Sequence, residues 1–459
     1  MNALKQYTDL YRETRDKFTA GSAPLLDAAR PAALLALENM TLPKAGSENY
    51  EHTDLEAILA PDYGINVERR PLGINPADTF SCHVPNMSTS LFFLAGDSFA
   101  TTPISRKHLP EGVIITSLRH AALTHPELVE PYYGKIADMG NPLVALDTLL
   151  AQDGLFMYVP DGVKVERPVQ LVSMLQGAVP MMAVRRLLVV LGKDAEACLL
   201  CCDHTQNDTL EFLNLQTIEI HCGERSRFDM YELEESTRLT SRLSSLYIDV
   251  ESGANVLLDG ITLYNGATRN EYHARFLGEG GELQILGMGI EDDRRRLDNY
   301  SLIRHDVPRC TSNELFKYVV DDEATGAFTG RVYVAPGADK TEAMQANRNL
   351  VTSPKARMFS KPQLEIYADD VKCSHGTAIG QLDAMQIFYM RTRGLSEATA
   401  KTLLRQAFMA DVIEPVRLER LRTRLRHLVD MRLAGAQDSP NCSSCASTDE
   451  CIEEQYQDS

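Results

Sequence analysis

The chain has 459 residues, 44% hydrophobic and 24% charged, which excludes disorder as its main state and leaves room for one large core or about two to three smaller domains. Lys and Arg number 46 against 64 Asp and Glu, and a formal charge of −18 excludes broad nonspecific attraction to nucleic acid or to an anionic membrane. With no Trp and 7% aromatics it lacks the usual platforms for stacking bases or sugars, and ten cysteines are too sparse for a disulfide-built scaffold.

The stretch from Met1 to Phe18 is charged and amphipathic, with no apolar core ahead of a small-residue cleavage site. It does not read as a signal peptide, and a cytoplasmic location is expected. The longest apolar runs, such as Leu187 to Leu191 and Ala197 to Cys202, fall far short of the ~20 residues that a spanning helix needs.

Residues 1–150 read as a mainly helical N-terminal region. Apolar positions recur at three and four (Leu4, Tyr7, Leu10, Tyr11, then Leu25, Leu26, Ala29) between breakers at Gly21, Pro24 and Pro31, and Leu143 to Gln152 reads as a further helix. Residues 151–380 read as a β core. Short apolar and β-branched runs follow one another: Leu187 to Leu191, Ala197 to Cys202, Thr217 to Ile220, Ser245 to Val250, Asn255 to Leu258, Glu282 to Leu286, Arg331 to Val334 and Leu364 to Tyr367. Strand after strand without helical patterns between them argues against a doubly wound sheet and for a sandwich, a barrel or a β-helix. Several runs lack clean alternation, which suits parallel coils somewhat better. No fixed repeat is legible, so periodicity leaves the choice open.

Helical texture returns over residues 381–435, where Ala398, Thr402, Leu403, Phe408 and Met409 form one apolar series and Val416, Leu418, Leu421, Leu425, Leu428 and Val429 another. From Ala384 to Gly435 there are ten Lys or Arg and five Asp or Glu, a local charge of +5. Residues 436–459 hold six acids and no Lys or Arg, and read as a disordered tail. Its Cys442, Cys445 and Cys451 lack a fourth ligand and read as an incidental thiol cluster.

There is no phosphate-binding loop, nucleophile elbow or zinc helix: Gly134-Lys135 is followed by Ile136, and Gly192-Lys193 by Asp194. The most chemical segment is Leu364 to Gly376 (LEIYADDVKCSHG). If it stays extended, period-two geometry puts Cys373 and His375 on one face with Val371. A thiol and an imidazole side by side suit zinc, copper or an iron–sulfur centre. Two ligands do not complete a site, so others must come from elsewhere in the chain or from a partner. The alternative is a buried strand-end Cys beside a His bonded to backbone.

That segment resembles the SufB/SufD family of iron–sulfur cluster assembly scaffolds. The resemblance is strongest over residues 301–410: Ser312 to Lys317 (SNELFK), Phe328 to Val334 (FTGRVYV), Gln345 to Leu350 (QANRNL), Pro362 to Gly376, and Phe388 to Gly394 (FYMRTRG). Asp153 to Pro160, followed by Gly162, looks like the family's entry into its central domain, and Leu42 to Leu55 resembles the SufD branch, with Tyr50 where many relatives carry Trp. The resemblance implies a right-handed parallel β-helix core flanked by helical N- and C-terminal regions. It implies a non-catalytic scaffold that pairs with SufB through β-helix ends and docks the ATPase SufC on its C-terminal helices. Cys373 and His375 would then face a transient iron–sulfur cluster shared with SufB, and the complex would accommodate a flavin. SufC docking is expected at Ala400, Leu403, Leu404, Arg405, Phe408 and Met409, beside Arg417.

Alternatives within the family are a SufB-like scaffold or a homodimer holding a cluster alone. Outside it stands a β-helix carbohydrate-active enzyme, for which Asp369-Asp370 is the only obvious pair near the Leu364 to Gly376 segment; adjacent strand residues face opposite ways and cannot flank one bond. Cys198, Cys201 and Cys202 read as core thiols, His305 as equally structural or functional, and His120 and His125 as too poorly spaced to share a metal.

Overall fold

The computed structural model describes residues 3–70, 89–101, 109–205 and 207–435; Cys442, Cys445 and Cys451 and the rest of the tail reading lie outside them. The N-terminal elements are α1 (Ala3–Ala20), α2 (Pro24–Asn39), α3 (Leu55–Leu59), β1 (Ser90–Ala95), β2 (Ser98–Thr101), β3 (Ile114–Ser117), α4 (Leu118–Thr124), α5 (Pro126–Val129) and α6 (Pro142–Leu150). Strands follow without a break: β4 (Gly154–Val159), β5 (Val169–Leu175), β6 (Met181–Leu191), β7 (Glu196–Thr205), β8 (Phe212–Cys222), β9 (Arg227–Glu235), β10 (Thr240–Val250) and β11 (Asn255–Tyr264). Then come β12 (Ala267–Phe276), β13 (Glu282–Glu291), β14 (Arg296–His305), β15 (Thr311–Val320), β16 (Thr325–Val334), β17 (Glu342–Val351), β18 (Arg357–Ile366) and β19 (Lys372–Gly380). The chain closes on α7 (Ala384–Thr392), α8 (Glu397–Ile413) and α9 (Glu419–Leu433).

Odd and even strands separate into two sheets. From β19 back through β17, β15 and so on to β5, the odd strands pair in parallel, and from β18 back to β4 the even ones do the same. The chain therefore winds as a parallel β-solenoid of about 8 turns, with one strand of each sheet per turn. This decides among the three β architectures that the sequence leaves open.

The missing alternation has a physical cause. Each sheet buries its inner face in the lumen, around Leu199, Met230, Leu258, Ile285, Phe316 and Tyr318, and its outer face under helices. The odd-numbered sheet packs Leu257, Ile261 and Val319 against Met409, Val412, Leu421 and Leu425 of α8 and α9. The even-numbered sheet packs Val184, Leu215 and Leu243 against α1, α2 and α6. A strand covered on both faces reads as a continuous apolar run, and β6 is buried at every position after Met181.

The coil period is legible in the backbone instead. A positive φ recurs at one corner of successive turns, at Asp194, Arg225, Gly253, Gly280, Arg309 and Lys340. Four of the six are not glycine, so the corner leaves no uniform residue in the sequence.

Three local readings change. Pro31 lies inside α2 rather than ending it, because the neighbouring Arg30 is fully buried and donates to the main-chain oxygens of Leu149 and Ala151, holding the helix against α6. Strands β1 to β3 lie in a stretch that reads as helical, and β2 and β3 add antiparallel edges to the two sheets. The segment from Leu364 is not one strand: it turns at 367–371, and its halves belong to different sheets.

The two ends of the solenoid consequently differ. At the N-terminal end, β2 closes one sheet and β3 the other. At the C-terminal end, β18 and β19 are the outermost strands, β18 mostly half-buried and β19 largely exposed, each with a parallel edge unpaired among the described residues.

Candidate functional site

Cys373 and His375 lie on β19, the last strand before the open end. Their register partners on β17 are Ala343 and Gln345, both buried on the luminal side. The pair therefore shares one face, as the period-two argument requires, although Val371 lies in the turn before the strand; that face looks into the lumen, with nothing stacked above it among the described residues. The turn at 367–371 supplies this placement by carrying the chain from β18 across to the other sheet.

The two side chains meet different surroundings. Cys373 is half-buried and packs with Leu364, Ala368 and Val371 against Val332, Val334, Ala338 and Ala343. Burial pushes its thiol up, against a smaller opposing pull from the Ala343 backbone N–H, so it is held as a neutral thiol rather than a preformed thiolate. His375 is exposed. Beside it, the Thr377 hydroxyl donates to Ser360 Oγ at 2.7 Å, joining β19 to β18 across the end of the lumen. Exposed apolar side chains on and next to the terminal strands are Met344, Phe359, Ile366, Tyr367 and Ile379, with Ile379 on the same face of β19 as His375, and Met344 and Phe359 on the outer faces of β17 and β18, where Phe359 stacks on His52.

No group of three or more His, Cys, Asp or Glu is placed to hold a metal ion among the described residues. Cys373 and His375 supply one sulfur and one nitrogen donor, which suit iron but leave its coordination incomplete.

The C-terminal residues expected to dock a partner divide sharply. Ala400 and Met409 are fully buried, Met409 in the core shared by α8 and the odd-numbered sheet. Phe408 packs on that core, and its main-chain oxygen accepts from Lys317 Nζ at 2.7 Å. Arg405 pairs with Asp321 at 2.9 Å, and Arg417 with Asp229. Leu404 is half-buried, and Leu403 alone of these apolar side chains is exposed. Most of this set is engaged within the chain because the solenoid wall needs a cover. The free apolar face is instead on α7, which has no buried residue: Met385 is 71% exposed, Phe388 62% and Tyr389 58%. The motif around Phe388 was visible in the sequence, but its exposure was not.

The remaining candidates resolve simply. His305 is fully buried, its Nε2 2.8 Å from Ser312 Oγ, and burial pushes it down to about 4, a structural neutral imidazole. Cys201 and Cys202 are buried and Cys198 packs on the outer core, as core thiols. Asp369 and Asp370 sit in the corner between β18 and β19, where Asp370 pairs with Lys340. His120 is exposed, and His125 lies 3.6 Å from Glu127. The segment that resembles the SufD branch is pinned to the solenoid: Tyr50 donates to Glu271 at 2.7 Å, and Thr53 to Asp298 at 2.5 Å.

A parallel solenoid with a sheathed wall, one open end and a thiol–imidazole pair at that end is a scaffold geometry rather than an enclosed catalytic pocket. The chain belongs to the SufB/SufD family: the model of the SUF-system FeS cluster assembly SufBD core domain matches residues 173–408, and that of the SufBD N-terminal region matches residues 1–171. It is 29% identical over 415 residues to an iron–sulfur cluster assembly SufBD family protein of Synechocystis, covering 88% of this chain and 90% of that one. It is 36% identical to the iron–sulfur cluster assembly protein SufD of Escherichia coli over 174 residues, 38% of this chain and 41% of that one. To SufD of Bacillus subtilis it is 25% identical over 360 residues, 76% and 80% of the two chains. It is thus an iron–sulfur cluster assembly protein of the SufBD type. No described helix is long and apolar enough to cross a membrane.

Proposed function

We propose that this chain is the SufD-type scaffold subunit of a cytoplasmic SufBCD complex, assembling iron–sulfur clusters at a junction with SufB and passing them to apoproteins. The observation that carries the reading is the open end of the solenoid, where the unpaired edges of β18 and β19 meet the exposed His375 and the Cys373 thiol. An unpaired parallel edge with exposed apolar side chains beside it is what a partner's terminal strands would complete. The partner would also supply the donors that two residues cannot. Cluster iron and sulfide are cargo in this scheme, and ATP hydrolysis belongs to SufC, which would dock on the C-terminal helices through the free face of α7 and Leu403.

The test is reconstitution with SufB and SufC, followed by assay of iron, acid-labile sulfide and flavin in the purified complex. His375→Ala is expected to load markedly less iron and sulfide while the three subunits still co-purify. Loading equal to wild type removes His375 from the site.

The same open edge favours a second reading for the isolated chain. Two copies can pair end to end, and light scattering of the chain alone would give twice its 51.0 kDa mass.

A further inference from the structure

One luminal row changes character at the open end. Through the register of the odd-numbered sheet, Val169, Leu199, Met230, Leu258 and Ile285 stack in line, all apolar. The row then continues as Glu314, Gln345 and His375. Packing alone would continue the apolar row, since buried polar groups cost free energy unless satisfied.

Gln345 is 2% exposed, and its Nε2 donates to Glu314 Oε2 at 2.6 Å. That bond fixes the amide, so Oε1 is the face left over. It is buried and has no hydrogen-bond partner among the described residues. Across the lumen a Cβ at Gly330 would collide with Gln345 Nε2, so glycine there makes room for this side chain. Glu314 is equally buried; burial pushes its carboxyl up to about 7, against the smaller pulls of Ser301 and Gln345. The amide is thus anchored on one side and open on the other, and the next residue in the row is His375.

We propose that Gln345, held by Glu314, is a positioning residue for His375: its Oε1 accepts one imidazole N–H, so that the other ring nitrogen is presented outward with its lone pair free. A histidine that binds metal through one nitrogen ordinarily donates the other N–H to a fixed acceptor, which sets tautomer and ring orientation. Gln345 is placed to be that acceptor, and the bond forms when His375 turns inward as the open end is covered. The cluster-side role rests on the function proposed above; the tautomer effect does not.

The full-length chain labelled with 15N-histidine tests the geometry, alone and in the reconstituted complex, with His375 ring signals assigned by their loss in His375→Ala. In the wild-type complex His375 is expected as a single tautomer. Gln345→Met is expected to shift its ring signals toward the mixture of an unconstrained imidazole, and Gln345→Glu, which keeps an acceptor, to preserve them. Gln345→Leu serves the same purpose if Gln345→Met fails to fold. Iron and sulfide loading should fall about tenfold in Gln345→Met and recover in Gln345→Glu. Unchanged His375 signals in Gln345→Met overturn the proposal, and so does a loading defect without a signal change, which marks a merely structural role. If the signals respond to Gln345 while His375→Ala loads as wild type, positioning stands and the assigned cluster site fails.

Discussion

Asp259 and Tyr231 are register partners on the neighbouring strands β11 and β9, both in the wall covered by the C-terminal helices. The Tyr231 hydroxyl accepts the Arg417 backbone N–H at 3.0 Å, whereas neither Asp259 oxygen has a hydrogen-bond partner among the described residues. A carboxyl sealed between a sheet and its covering helices without a partner stays there only when neutral.

The pH dependence follows with a definite sign. Burial raises Asp259 from its ordinary 3.8 to about 8, so between those values the folded chain holds a proton that the unfolded chain has released. This contribution is present below about pH 4 and lost progressively as pH rises toward 8. Asp259→Asn removes the dependence. Calorimetry at pH 5.5 and pH 8.5 should show the variant gaining on wild type by a few degrees at the higher pH. An equal difference at both values would place the proton elsewhere.

Arg186 is fully buried between Asp147 at 2.9 Å and Glu219 at 2.7 Å, and Glu219 also accepts the backbone N–H groups of Gly134, Ile136 and Ala137. It joins α6 and the loop before it to the solenoid. Arg186→Met leaves two carboxyls without their cation and is expected to cost about 3–5 kcal/mol. The urea midpoint of the full chain reads this directly, and an unchanged midpoint would show the network to be dispensable.

Cys373 and His375 should separate in stability although they share a strand. The thiol packs against the buried cluster of Val332, Val334, Ala338 and Ala343, and Cys373→Ala is expected to cost about 1 kcal/mol. The exposed imidazole of His375 gives a change within about 0.5 kcal/mol on replacement by Ala. Equal losses would mean that the imidazole is also packed.

The C-terminal helices allow docking and folding to be told apart. Phe388→Asp, on the free face of α7, should leave the melting temperature unchanged and abolish co-purification with SufC. Met409→Asp buries a charge in the core between α8 and the solenoid and should destabilise the chain by several kcal/mol. Retained SufC binding in Phe388→Asp would move the docking surface away from α7.

Much of the β core was visible as runs such as Ala197 to Cys202 and Ser245 to Val250, since β-branched and apolar residues between turn signals mark strands whatever their partners. Their winding was not. Strands buried on both faces lose the alternation that distinguishes architectures, and the recurring corner is occupied by Asp, Arg, Gly or Lys. Pro31 misled because its helix is held by Arg30 bonds to residues more than a hundred positions away. The apolar periodicity of residues 398–409 was equally visible, but a periodic face looks the same whether it covers the chain's own wall or awaits a partner.

The sequence by itself determined the residue types of the site, because Cys373 and His375 share a face of any extended strand, and it determined the family through motifs read in order. Only the tertiary structure decided that this face looks into a lumen, that the lumen is open above it, and that Gln345 lies directly beneath. Those facts depend on register between strands about thirty residues apart, and register is fixed by the closing of successive coils, which no local pattern encodes.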